Sequence, residues 1–206
     1  MDLNRLVELV KEKLEETRRI PVEASGRHIH LSQTDAKILF GENYEFNVLK
    51  ELSQPGQVAY KERLRLVGPK GVIEGVVILG PCRDKTQVEL SMTDCKSLGI
   101  KPVIRNSGDT TGTPGAIILN GDKIVKIEEG VIVANRHIHM TPEDADNLCV
   151  KDKEIVNVKI ISERPVIFED VLVRVNSNFK LNMHIDYDEA NACYHTNTTY
   201  GILEKK

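Results

Sequence analysis

Tryptophan is absent from this sequence, and aromatic residues make up only 4% of it. Any core must therefore be built from Val, Ile and Leu, and a stacking platform for nucleic acid has little to draw on. Lys and Arg are spread along the chain with no basic tail or stripe, and the formal net charge is −3. Both features argue against nucleic acid as a partner. No apolar run approaches the ~20 residues that span a bilayer, so no membrane association is expected. The first residues carry no apolar h-region or cleavage site, so no secretory signal is expected. The four cysteines, Cys82, Cys95, Cys149 and Cys193, form no C-x-x-C pair. A Cys-rich structural zinc site is thereby excluded, and free thiols in a reducing cytoplasm are the expectation.

The 206 residues allow one large domain or two of roughly 100 residues each. Residues 3–16 read as an amphipathic helix, with Leu3, Leu6, Val7, Leu9, Val10 and Leu14 mostly on one face. The plain reading is a helix that packs on the body of the protein; the sharper one is a docking helix for a partner or shell. After Pro21 the pattern turns to short, Val- and Ile-rich strands at 58–67, 72–79, 86–91, 117–119, 123–127, 130–134, 155–161, 166–175 and 180–186. Many short strands at close spacing indicate barrels or sandwiches rather than a parallel α/β sheet. Helical stretches are expected at 32–39, 93–98, 142–147 and 187–193.

An internal repeat dominates the chain. Ala24-Ser25-Gly26-Arg27-His28-Ile29-His30-Leu31-Ser32 aligns with Val133-Ala134-Asn135-Arg136-His137-Ile138-His139-Met140-Thr141. Each copy runs into a helix start: Ser32 precedes Asp35 by three residues, and Thr141 is followed by Pro142, Glu143 and Asp144. A weaker match aligns Val88-Glu89-Leu90-Ser91-Met92-Thr93-Asp94 with Met183-His184-Ile185-Asp186-Tyr187-Asp188-Glu189. The simplest account is a duplicated β-rich unit, each copy supplying H-x-H and one later ligand.

Residues i and i+2 of a strand share a face. His28 and His30 therefore project together while Ile29 turns into a core, and His137, Ile138 and His139 repeat the arrangement. Two imidazoles whose Cα atoms are about 7 Å apart can converge on one ion. A single H-x-H is better explained by two histidines on a solvated face. Two copies in the same strand-to-cap context, using four of six histidines, favour metal. His184 is the natural third ligand for the second copy. Glu89 is its counterpart in the first, where the pattern alone does not separate a ligand from an ordinary exposed carboxylate. His195, in a polar tail without a repeat partner, reads as a surface residue.

Gly80-Pro81-Cys82-Arg83 reads as a turn that delivers an arginine just before the Glu89 strand, where a guanidinium fork suits a phosphate or carboxylate. Residues 106–115, Asn-Ser-Gly-Asp-Thr-Thr-Gly-Thr-Pro-Gly, form a loop with many backbone donors. Such a loop can cradle phosphate but is more often a connection. Neither a Walker loop nor a dinucleotide-binding glycine motif occurs.

The two R-H-I-H copies, G-P-C-R followed by T-Q-V-E-L, S-G-D-T-T-G-T-P-G and M-H-I-D-Y-D-E-A-N together resemble the PduL-type phosphotransacylases (phosphate propanoyltransferases), over nearly the whole chain after about residue 20. The resemblance implies the reaction acyl-CoA + phosphate ⇌ acyl phosphate + CoA, on propanoyl-CoA or acetyl-CoA. It implies a mainly β fold of two similar small β-barrel domains with a two-zinc site in the cleft between them. The expected divisions are 1–20, the amphipathic helix; 21–132, the first barrel; and 133–206, the second, with the strand near 21–25 open to packing with the second. By the resemblance, His28, His30 and Glu89 hold one zinc, and His137, His139 and His184 hold the other. Arg83 binds phosphate, and Ser25, Lys70 and Asn191 contact coenzyme A. The chain departs from the family at Gly26, where Asn is common, at Val77, where a CoA-contacting Arg is common, and at Tyr194, where Gly is common. Residues 1–20 are a candidate address to the shell or lumen proteins of a bacterial microcompartment, and a homo-oligomer is left open. Two competing readings use the same histidines: a metal-dependent thioester or ester hydrolase, and a non-catalytic, metal-stabilised scaffold module.

Overall fold

The computed structural model describes residues 5–8 and 17–204. The helix expected over 3–16 lies outside the described residues apart from residues 5–8, which are helical and exposed. In chain order the elements begin with β1 (Ile20–Ala24), β2 (His28–Ser32), α1 (Gln33–Phe40), β3 (Val48–Glu51), β4 (Val58–Val67), β5 (Val72–Arg83) and β6 (Gln87–Glu89). They continue with α2 (Met92–Leu98), β7 (Ile104–Arg105), β8 (Ala116–Asn120), β9 (Lys123–Ile127), β10 (Val131–Ala134), β11 (His137–Met140) and α3 (Pro142–Leu148). The last are β12 (Ile155–Ile161), β13 (Val166–Val175), β14 (Asn182–Ile185), α4 (Tyr187–Ala192) and β15 (Tyr200–Glu204). The protein is mainly β, and its helices are short.

The chain divides into two compact units. One holds Ser25–Asn135 and Asp186–Asp188; the other holds Met1–Ala24, Arg136–Ile185 and Glu189–Lys206. In the first unit the sheet runs β7-β10-β6-β2-β5-β4-β8-β9, with β3 also on β4. In the second, β1-β14-β11-β13-β12-β15 close into a barrel. The expectation of two barrels is corrected here: one unit closes and the other is an open, nine-stranded sheet. Closure in the second unit depends on β15, which hydrogen-bonds to both β12 and β1. In the first unit β9 pairs only with β8 among the described residues, so no strand joins the two sheet ends.

Within each unit the strand carrying the histidines has the same neighbours. β2 lies between β5, parallel, and β6, antiparallel. β11 lies between β13, parallel, and β14, antiparallel. The strand preceding each histidine motif belongs to the other unit's sheet: β1 pairs with β14, and β10 pairs with β6. The duplicated sequence thus folds into a duplicated local topology.

The cores are aliphatic, as the composition requires. Ile29, Leu31, Leu64, Leu66 and Ile78 are buried in the first unit, and Ile138, Met140, Val158, Val171 and Val173 in the second. Alternation produces this pattern; β12, for example, buries Val156, Val158 and Ile160 and leaves Ile155 and Lys159 exposed. The central isoleucine of each motif is fully buried, which contributes about 1.5–3 kcal/mol apiece and fixes which face the flanking histidines occupy. Helix starts follow the capping signals. Ser32 accepts from the Asp35 amide, and Thr141 forms a capping box with Asp144, with Pro142 in the first turn. Ser91 and Asp94 form a second box, on α2.

Candidate metal centre

The ladder between β2 and β6 sets His28 opposite Glu89 and His30 opposite Gln87. The four side chains share a face because each pair is two residues apart on its strand. His28 Nδ1 lies 2.8 Å from the Gly26 carbonyl oxygen. A carbonyl only accepts, so Nδ1 carries the proton and Nε2 presents its lone pair. Nε2 of His28 is 3.5 Å from Glu89 Oε2, and Nε2 of His30 is 3.9 Å from Glu89 Oε1. One ligand atom from each of the three residues falls within 4.8 Å of the others. Two tetrahedral ligands at 2.0–2.2 Å from an ion stand roughly 3.3–3.6 Å apart. The spacing, with two imidazoles and a carboxylate as donors, therefore fits one divalent cation. His30 Nδ1 is buried and has no hydrogen-bond partner.

Electrostatics keeps these groups in ligand form. Burial, with help from His28 and Arg83, pushes His30 down to about 2. Burial opposes the charge on Glu89, but the His28 imidazole, His30 and the Ser107 hydroxyl outweigh it and hold the carboxyl well below its usual range. Burial also disfavours the His28 cation, yet Glu89 beside it raises this histidine overall. A cation in the same position would replace that proton, since ligands bind metal deprotonated.

Two residues that sequence reasoning passed over complete the group. Ser107 donates to Glu89 Oε1 at 2.7 Å and accepts from Gln87 Nε2 at 3.0 Å and from an Arg83 guanidinium nitrogen at 3.2 Å. Gln87 donates to Glu89 Oε1 at 2.6 Å and accepts from the Gly108 amide at 2.8 Å. The loop after β7 is therefore tied to the carboxylate, and Oε1 is held while Oε2 faces His28. The available signal was the alternation in Gln87-Val88-Glu89, which puts both polar side chains on one face.

Arg83 was expected on a turn. It ends β5 instead, in register with Ser32 after a shift in the β2–β5 ladder. That register carries the guanidinium to the histidine face.

In the second unit the β11–β14 ladder sets His137 opposite His184 and His139 opposite Asn182. Ring centroids are 4.7 Å apart for His137–His139, 5.2 Å for His137–His184 and 5.0 Å for His139–His184. The three imidazoles are thus brought together, although among the described residues only the first group meets the closer ligand-atom spacing. His184 Nδ1 is 3.7 Å from Glu23 Oε2, its register partner on β1. Burial, then the neighbouring His137 and His184, push His139 down to about 2.

The arginines of the two motifs have acidic partners. Arg27 pairs with Asp94 on α2 at 3.1 Å, and Arg136 pairs with Glu189 on α4 at 3.0 Å. Each fastens its motif to the helix that follows the third candidate ligand. Ser25 is half-buried between β1 and β2, Lys70 is exposed in the β4–β5 turn, and Asn191 is exposed on α4. No side-chain hydrogen bond or ion pair among the described residues draws these three to either histidine group. His195 is not a plain surface residue: it is half-buried, and its Nε2 lies 2.9 Å from the Val22 carbonyl oxygen. Burial raises the Cys82 thiol, which disfavours the nucleophilic thiolate. No helix among the described residues is long and apolar enough to cross a membrane.

A family sequence profile described as phosphate propanoyltransferase matches residues 21–196. A phosphate propanoyltransferase of Sebaldella termitidis is 57% identical over 211 residues, covering 100% of both chains. One from Clostridioides difficile is 52% identical over 204 residues, 99% of this chain and 98% of its own. One from Thermotoga maritima is 55% identical over 174 residues, 84% of this chain and 83% of its own.

Proposed function

Because the chain belongs to the phosphate propanoyltransferase family, an acyltransferase family, we propose that it interconverts a short-chain acyl-CoA plus phosphate with acyl phosphate plus CoA. The observation that carries this reading is the buried His28-His30-Glu89 group with Arg83 bonded into it through Ser107. An ion-binding cage and a guanidinium fork on one face are what a phosphate nucleophile beside a polarised thioester requires.

In this reading His28, His30 and Glu89 hold one zinc, and His137, His139 and His184 hold a second. When bound, the metal supplies a Lewis acid for the thioester carbonyl and for the sulfur that departs. Arg83 binds phosphate and turns one oxygen toward the acyl carbon. That oxygen forms the new C–O bond, the C–S bond breaks, and the electron pair leaves with CoA as thiolate. Ser107 holds Arg83 and Glu89 in fixed relation, so the phosphate anchor and the ligand carboxylate keep their spacing. Burial of the His28, His30 and Glu89 side chains limits water, which favours phosphate over hydrolysis. Ser25, Lys70 and Asn191 contact CoA. The halves 21–132 and 133–206 act as the two divisions of the enzyme, and residues 1–20 address it to a microcompartment in the cytoplasm, a role that deletion and localisation would test.

The test is thioester loss from propanoyl-CoA and acetyl-CoA, with and without phosphate, with metal content measured on the same sample. Phosphate-dependent formation of acyl phosphate is expected, with two zinc ions per chain. Loss of thioester at equal rate without phosphate would identify a hydrolase. No turnover, with stability that collapses in chelator, would identify a scaffold.

A further inference from the structure

We propose that Arg174 forms a second anion-binding point, beside the His137-His139-His184 group, for a phosphate-class group of the substrates. The proposal rests on the reading above, in which both phosphate and the phosphates of CoA are handled by this chain.

Arg174 lies on β13 in parallel register with His139. Laterally paired residues of adjacent strands point to the same side of the sheet, so Arg174 projects on the face that carries the three histidines. It is half-buried. Its guanidinium carbon lies 5.9 Å from the centroid of the Phe179 ring, and that ring packs on His139 with centroids 4.3 Å apart. The aromatic ring thus holds the guanidinium beside the imidazoles.

The charge of Arg174 is not matched as those of the other arginines near the histidines are. Arg27 and Arg136 are paired with Asp94 and Glu189, and Arg83 is bonded to Ser107. Among the described residues no carboxylate oxygen lies within 4 Å of the Arg174 guanidinium. A half-buried cation without an acidic partner, placed beside the imidazole cluster, favours an anion from solution.

Two further atoms on this face point to a ligand. His139 Nδ1 and Asn182 Oδ1 are buried and without hydrogen-bond partners, and the two residues face each other across the β11–β14 ladder; Nδ1 can donate to an anion when it carries the proton, whereas Oδ1, an acceptor, takes only a donor such as a protonated phosphate oxygen. Buried polar atoms in native proteins are almost always satisfied, by protein, water or ligand. His30 Nδ1 in the first unit is unpartnered as well, so the contrast between the units lies in the amide. The residue opposite His30 is Gln87, and its amide is bonded at both ends. β5 and β13 are the parallel neighbours of the two histidine strands, and each brings one arginine to the histidine face, Arg83 in register with Ser32 and Arg174 in register with His139.

The shared chemistry is a phosphate-class anion, and its two sources are free phosphate and the phosphates of CoA. Calorimetric titration of the metal-loaded wild type with inorganic phosphate, and separately with CoA, is compared with Arg174→Gln and Arg174→Lys. Arg174→Gln is expected to weaken one of the two ligands by about tenfold or more, with a matching rise in KM for phosphate or for acyl-CoA. Loss in the phosphate arm identifies free phosphate as the occupant, and loss in the CoA arm identifies the nucleotide. Arg174→Lys keeps the charge without the fork and is expected to recover part of the affinity. Unchanged affinity for both ligands in Arg174→Gln overturns the proposal. Should that variant fail to fold, Arg174→Met takes its place as the charge-removing variant, and unchanged affinity for both ligands there overturns the proposal equally. Absence of phosphate-dependent turnover in the wild type would defeat the functional reading first, and the binding arms would still report on Arg174.

Discussion

The Nδ1–H of His28 donates to the Gly26 carbonyl at 2.8 Å, so one backbone oxygen decides which imidazole nitrogen is offered to a metal. A bond of this kind, to the far side of a ligand histidine, both orients the ring and raises its basicity. Glu89 is the most constrained group in the cluster, because Gln87 and Ser107 both bond Oε1. Replacing Glu89 by Gln keeps the shape and removes the charge. The expected result is loss of one metal ion per chain, read by elemental analysis, and a fall in activity of about a hundredfold; a variant with full metal content would contradict the ligand assignment. His30 and His139 are pushed down to about 2, whereas an unfolded imidazole takes up its proton near pH ~6.5. Below that pH the unfolded chain binds more protons, so stability falls as pH drops. The contribution is complete above about 6.5 and is lost progressively on acidification. His28, raised by Glu89, runs the other way, and its pairing is lost as pH rises through its raised value. Chelator-treated protein should therefore show a urea midpoint that declines from pH 7 to pH 5. The decline should be shallower in His139→Gln, and an identical decline in that variant would refute the argument.

Among the elements, the strands and helices that pair locally were the legible ones. Strands at 58–67, 123–127, 155–161 and 166–175 and helices near 32–39, 93–98, 142–147 and 187–193 are visible as alternation and capping signals, and they occur at or within two residues of those places. β3, β7 and β15 were not legible. β3 is exposed along its whole length, so it has no alternation to detect, and β7 is two residues long. The candidate site divides in the same way. His28, His30, His137 and His139 announce themselves through spacing, which is local. Glu89 and His184 needed the repeat. Ser107 could not be found, because its role depends on a loop returning to β6 from eighteen residues away. One departure from the family becomes intelligible at this scale. Gly26 stands where Asn135 stands in the second copy, and a Cβ on Gly26 would overlap the Tyr187 ring. The glycine thus leaves room for the ring of the residue that opens α4, in the position that ring now takes. Tyr187 is exposed and can swing its ring aside, so Gly26→Asn is expected to destabilise by about 1 kcal/mol or less. Tyr187→Thr in the same chain should restore most of the melting temperature; failure to restore it would place the cost elsewhere.

For the whole molecule, closure was the feature the sequence could not supply. Two copies of one motif suggest two alike halves, but closure depends on long-range pairing at the ends of the sheet, and there the copies differ. β15 bonds to two strands and completes a barrel, while β9 bonds to one and leaves its sheet open. β1 has the other decisive place in that barrel, between β14 and β15, although it precedes the first motif and is distant in sequence from every other strand of its unit. A polypeptide of residues 133–206 would therefore be a barrel with one stave missing, exposing two unpaired edges to aggregation. A synthetic peptide spanning residues 17–24 should fill that gap by donor-strand addition and raise the fragment's melting temperature with the logarithm of free peptide once its dissociation constant is exceeded, whereas a scrambled peptide should not. β1 is, in this sense, a ligand of residues 133–206, and covalent linkage through the intervening first unit delivers it at a fixed effective concentration.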